Sequence, residues 1–272
     1  MSLIDPASEA TSPIRALIIT LLPETLRSSV LLEAHQTADW MDSSICLGIP
    51  KGDSRDDLEA EIDRAGLPKP PNHVYNILSR SEVGCIYAHL RALAIASKSD
   101  SPTLILEDDA WFEPATLKEI VTKLDWMPDD AILKLEGDDK PGRRIVLSPK
   151  GEDFRFALSM RPSNGSAGYV VTPISASRLL AAGYGYGHAY DMLLNDPTLH
   201  GCLLLDAVPF PVCPSIQTDS TISRGNKRPG FLNKMARHSE KLKRRVGRYR
   251  MQMLRAQRQR YFRVRFAKFY EN

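Results

Sequence analysis

Apolar residues fall along the first two hundred positions in short continuous runs separated by stretches of helical period. Ile14 to Leu21 is such a run, of strand length. Pro23 and Glu24 follow, and Leu26, Val30, Leu31 and Ala34 then keep the three-to-four spacing of one helix face. Ser44–Ile49 reads as a second strand, closed by the turn at Gly52 and Asp53. Asp56–Ala65 reads as an acidic helix, broken by Pro68, Pro70 and Pro71. A helix predicted to open at Ser81 carries Ile86, Leu90, Leu93, Ala94 and Ala96 on its apolar side, and Pro102–Leu106 after it is a buried strand. Further strands are expected at Ala131–Leu135, Arg144–Leu147, Gly168–Thr172 and Leu203–Val208, with a helix from Ile174 to Ala182 behind Pro173. Strands alternating with helices imply an α/β fold, with a largely parallel sheet covered on both faces.

Composition changes this picture in one respect. Across the 272 residues the net charge is only +3, but it is unevenly placed. From Arg224 onward there are seventeen Lys and Arg against two acids, and the preceding residues hold nineteen against thirty-one. A body of about −12 thus precedes a tail of about +15. The expected organisation is a frayed N-terminus over residues 1–12, one domain over 13–223, and a basic amphipathic helical tail over 224–272. In that tail Leu242, Val246, Tyr249 and Met253 draw an apolar stripe among Arg and Lys, with aromatics at the end (Tyr261, Phe262, Phe266). Residues 231–270 therefore suit an anionic membrane surface, the protein's own acidic body, or the phosphates of nucleic acid.

The cysteines Cys46, Cys85, Cys202 and Cys213 form no C-x-x-C pair. Together with an N-terminus that lacks a basic start to an apolar core, they point to a reduced, cytoplasmic protein, and the basic amphipathic tail suggests a peripheral place on the inner face of the cytoplasmic membrane.

Candidate chemistry concentrates at Glu107-Asp108-Asp109, three acids at the end of a buried strand. Ligands of open α/β sheets bind at the carboxyl ends of strands. Adjacent carboxylates are eased by a divalent cation such as Mn²⁺ or Mg²⁺. A solvated acidic turn ahead of a helix at Pro114 accounts for the same residues without a metal.

Segments around these acids resemble glycosyltransferase family 25, the lipooligosaccharide galactosyltransferases. They are Gly84–Leu93, Leu104–Ala110, Gly165–Val171 (similar to G-[ST]-A-G-Y-[VI]-[VI]), Tyr190–Leu194 and the proline-rich Pro209–Ser220, in family order across residues 14–222. The resemblance implies a GT-A-type nucleotide-sugar-binding sheet flanked by helices, a UDP-sugar donor (galactose most often), Mn²⁺ dependence and an inverting reaction. It places Asp109, with Glu107, at the metal, and Glu107 or Asp108 toward the ribose. Thr20 (where the family has Asn), Arg27, His89 and Gly168 fall at the donor. Asp191 is the expected base for the acceptor hydroxyl, with an N-cap role as the structural alternative. His89, on an apolar helix face, equally suits a packed residue bonded to a backbone carbonyl. Gly84 and Gly168 suit close backbone approach, and the Gly183–Gly187 loop with its tyrosines suits sugar stacking. The acceptor implied is a lipid-anchored surface glycan. Two other functions fit the chain: a non-catalytic glycan- or lipid-binding protein of the same fold, and a nucleic-acid binder acting through the tail.

Overall fold

The computed structural model describes residues 13–21, 39–124, 127–137, 144–146, 155–159 and 164–214. The expected N-terminal fraying, the helix after Pro23, Arg27 and the whole basic tail lie outside these residues.

Eight strands form one sheet: β1 (Ile14–Thr20), β2 (Met41–Leu47), β3 (Thr103–Glu107), β5 (Ala131–Lys134), β6 (Arg144–Val146), β7 (Arg155–Ser159), β8 (Gly168–Val171) and β9 (Leu203–Val208). Their spatial order is β2-β1-β3-β8-β5-β9-β7-β6. Six of them run in one direction. β8 is antiparallel to both β3 and β5, and β7 to both β9 and β6. The largely parallel sheet expected from the alternation is therefore present, interrupted by two reversed strands. The fold is the α/β sheet flanked by helices that the sequence implies.

The continuous apolar runs are explained by cover on both faces. Along β1, β3, β5, β8 and β9 alternate side chains enter opposite cores. Leu17, Ile105, Ile132, Tyr169 and Leu204 pack on one side with helix α3 (Arg80–Ala96) and helix α5 (Pro173–Gly183). Ala16, Leu104, Leu133, Val170 and Leu205 face the other core, with Leu117, Ile120 and Val121 of helix α4 (Pro114–Val121).

Helix starts follow their caps. Helix α1 (Arg55–Arg64) begins at Ser54 and α3 at Ser79, each with a reciprocal capping box, to Asp57 and to Glu82. The start expected at Ser81 thus moves back two residues, because Ser79 has an acid three positions on. Four short elements escaped the pattern: helix α2 (Asn72–Tyr75), helix α7 (Pro197–His200), and the ribbon of β4 (Ala110–Phe112) with β10 (Val212–Pro214). β7 did as well, and helix α6 (Tyr190–Leu194) starts two residues before Met192, where the pattern first showed it. Segments of three to five residues are too short to show a period.

Candidate active site

The reversal of β8 builds the site. β3 and β5 both end where β8 begins between them, so the residues that follow one strand meet those that precede another. Glu107 N–H donates to the Ala167 carbonyl at 2.9 Å, and Leu135 N–H to the Gly168 carbonyl at 3.0 Å. Glu107, Glu136 and the Gly165–Ala167 turn are thereby brought together. β10 closes one side through Val212 N–H, which bonds the Leu135 carbonyl at 3.0 Å.

A cleft of about 300 Å³ opens here, lined by Glu107, Asp109, Glu136, Ser166 and Asp191, with Cys85 and Pro214 in its wall. Glu82 also reaches it, but its carboxylate accepts the Ser79 N–H at 2.7 Å and the Ser79 hydroxyl at 2.8 Å. Among the described residues the lining contains five acids and no Lys or Arg. Like charges in a partly dry site oppose ionisation. Glu136 is held above the ordinary carboxylate range by burial first and by Glu107 and Asp191 after it, with the Ala167 N–H and Lys134 pulling the other way. Burial, then Glu107, Asp191 and Glu82, push the Cys85 thiol up, so it stays protonated and is a poor nucleophile.

The three acids after β3 diverge. Glu107 Oε1 accepts the Ser166 hydroxyl at 2.7 Å and faces His89 Nε2 at 3.2 Å. Asp108 turns away to β1, taking the Thr20 hydroxyl at 2.8 Å, while its N–H donates to the Ile19 carbonyl at 2.9 Å. Asp109 faces the cleft. Thr20 is 2% exposed and ties the ends of β1 and β3 together through Asp108. Neither it nor Asp108 lines the cleft.

Asp191 enters the cleft from the first turn of α6. The cap position is Ala189, which makes no side-chain cap bond, so the N-cap role for Asp191 is replaced by one facing the cleft.

His89 is 1% exposed and lies behind Glu107, outside the lining of the cleft. Among the described residues its ring bonds no backbone carbonyl. Its Nδ1 meets the Tyr169 hydroxyl at 3.0 Å, and its ring stacks on Tyr190 at 3.9 Å with an interplanar angle of 1°.

Gly168 and Gly84 serve close packing. A Cβ at Gly168 would lie 2.9 Å from Val212, and one at Gly84 2.5 Å from the Ile49 carbonyl oxygen. The Gly183–Gly187 loop packs close to its neighbours and lies outside the lining of the cleft. Gly183 abuts Leu90, the Gly185 carbonyl meets His73 Nε2 at 3.1 Å, and neither Tyr184 nor Tyr186 lines the cleft. Glu136 and Ser166 are the residues that sequence reasoning missed. Glu136 follows an apolar strand as Glu107 does, and that shared position was the available signal.

Residues 67–194 match glycosyltransferase family 25 (LPS biosynthesis protein), a span containing every lining residue of the cleft except Pro214. Residues 67–194, just under half of the chain, are thus similar to a glycosyltransferase family 25 domain. Its enzyme class is accordingly glycosyltransferase, and the family implies a nucleotide-sugar donor and a glycan acceptor. Comparison with curated proteins gives no match. Among solved structures, mannose-1-phosphate geranyltransferase from Thermus thermophilus aligns with 72% of this chain and 73% of its own, at 11% identity and a TM-score of 0.35. That likeness is too distant to inform the site of the family 25 domain. Among its described residues, no three His, Cys, Asp or Glu side chains are grouped to hold a metal by themselves, and no helix is long and apolar enough to cross a membrane. None of its four cysteines is joined in a disulfide.

Proposed function

We propose that this domain transfers a hexose, galactose from UDP-galactose, to lipopolysaccharide or a related surface glycan with inversion at the anomeric carbon. The observation that carries the reading is the meeting of Glu107, Asp109 and Asp191 in one acidic cleft within the family match. Such a wall repels a nucleotide diphosphate unless a cation stands between them.

The residues fit Mn²⁺ or Mg²⁺ in the manner of nucleotide enzymes, where one or two protein carboxylates suffice and substrate phosphates complete the shell. Asp109 and Glu107 would hold the ion, which would supply charge stabilisation to the departing diphosphate. Asp191, in the same cleft, is suited to take the proton of the acceptor hydroxyl, help typically worth about 10²–10⁴-fold. The basic segment 231–270 would keep the enzyme on an anionic membrane bearing a lipid-anchored acceptor, each base near the surface adding about 1 kcal/mol.

The test is turnover and binding of UDP-galactose, UDP-glucose and UDP-N-acetylglucosamine by the full chain with Mn²⁺, with EDTA, and in Asp109→Asn. Metal-dependent consumption of one donor, lost in the variant, supports the reading. Binding of none of them overturns it.

A further inference from the structure

A polar array runs back from the cleft wall, beginning at Glu107. Glu107, His89, Tyr169 and Tyr190 form one buried array, with Nε2 to Glu107 at 3.2 Å, Nδ1 to Tyr169 at 3.0 Å and the two phenolic oxygens 2.8 Å apart. Tyr190 then folds back so that its ring covers the His89 ring at 3.9 Å. The four residues come from β3, α3, β8 and α6, so the array ties the strand end that bears Asp109 to the short helix that bears Asp191.

Proton accounting gives the array a direction. Burial raises both phenols far above neutrality, so each keeps its proton. A neutral imidazole with its proton on Nε2 fills the three gaps with three protons: Tyr190 donates to Tyr169, Tyr169 to Nδ1, and Nε2–H to Glu107. An imidazolium changes the tyrosine end of the chain and leaves the Nε2–H bond to Glu107 unchanged. In both cases the Glu107 carboxylate accepts Nε2–H and the Ser166 hydroxyl on the same oxygen, Oε1. Its other oxygen is thereby set apart from these two bonds.

We infer that His89 is a positioning residue, which with Tyr169 and Tyr190 fixes the orientation of Glu107 and holds Asp191 in register with it in the cleft. The inference rests on the proposed transfer reaction. The mechanism is that of groups standing behind ligating side chains, whose loss typically costs about 10–100-fold in activity or affinity. Glu107 would lose one of the bonds that orient it, and α6, only five residues long, would lose the ring on which Tyr190 is stacked.

The experiment uses the full chain and three substitutions, His89→Leu, His89→Gln and Glu107→Gln, with the double variant His89→Leu/Glu107→Gln. Each is measured for turnover of the donor hexose with Mn²⁺ and for thermal unfolding. His89→Leu is expected to lower kcat by about 10–100-fold. His89→Gln, which keeps an N–H to offer Glu107, is expected to regain most of that loss. In the Glu107→Gln background, His89→Leu is expected to cost less than in the wild-type chain, leaving the part that acts through Tyr190 on Asp191, because residues acting as a unit are not additive. Equal fold-losses in both backgrounds, or no rescue by Gln, would assign His89 to packing alone and overturn the inference while leaving the transfer reaction standing. A wild-type chain that turns over no donor sinks the transfer reaction, and the inference with it.

Discussion

Replacing Gly165 by alanine tests the floor of the cleft most directly. Gly165 has φ +112°, and a Cβ built there would collide with Cδ and Oε1 of Glu136. Two costs follow. A side chain in that backbone region carries strain of about 1–3 kcal/mol. The Glu136 carboxylate must also move, and it is the acceptor of the Ala167 N–H at 2.5 Å. A hydrogen bond to a charged group contributes about 1.5–3 kcal/mol. The single substitution is therefore expected to destabilise the domain by about 2.5–6 kcal/mol, which at about 2–4 °C per kcal/mol for a domain of this size lowers Tm by about 5–24 °C. In a Glu136→Ala background only the backbone strain is left, so the same change should cost about 1–3 kcal/mol. Urea unfolding of the four proteins, analysed by linear extrapolation, gives the coupling. A Gly165→Ala cost that is equal in both backgrounds would refute the contact and, with it, the placement of Glu136 in the cleft.

Acid stability should depend on His200, which is buried, takes the Cys202 N–H on Nδ1 at 3.1 Å, and is lowered by burial to about 4 from an ordinary 6.5. Below pH 6.5 the unfolded chain binds the proton that the fold refuses, so stability falls with pH between about 6.5 and 4, by about 3 kcal/mol in all. His200→Gln should flatten that part of the Tm–pH curve, and an unchanged slope would count against it. Glu136→Gln acts with the opposite sign. Because the folded carboxyl titrates above its unfolded value, its penalty is absent at low pH and complete above the folded pKa. The variant should melt higher than wild type at about pH 7 and at the same temperature in acid. Gly84→Ala sets helix propensity, worth about 1 kcal/mol in favour of alanine, against overpacking of about 1–3 kcal/mol on the Ile49 carbonyl. A net loss of stability in urea titration is expected, and a gain would mean that the helix α3 contact is looser than 2.5 Å.

The local pattern alone determined a great deal. Runs such as Pro102–Leu106 and Leu203–Val208 read as buried strands, and the helix opening at Ser81 followed from its period. Such segments declare themselves because their own side chains satisfy both the geometry and the burial. The acids at the end of β3 were legible for the same reason, since a charge at the end of an apolar run has to face a strand end. The family resemblance, carried by ordered short segments, identified the enzyme class. What the sequence could not show is which of those residues meet. The reversal of β8 between β3 and β5 depends on pairing partners about 60 or more residues away from β3, and no local period encodes a strand's direction. That reversal brings Glu136 and Ser166 to Glu107. It also decides that Asp108 turns to Thr20 and that His89 lies behind the cleft, not in it. A histidine on an apolar helix face reads the same whether its partner is a carbonyl, a donor or a carboxylate. Only packing of four separate elements around His89 selects Glu107 and Tyr169, because a buried imidazole must find its hydrogen-bond partners in whatever the tertiary fold places beside it.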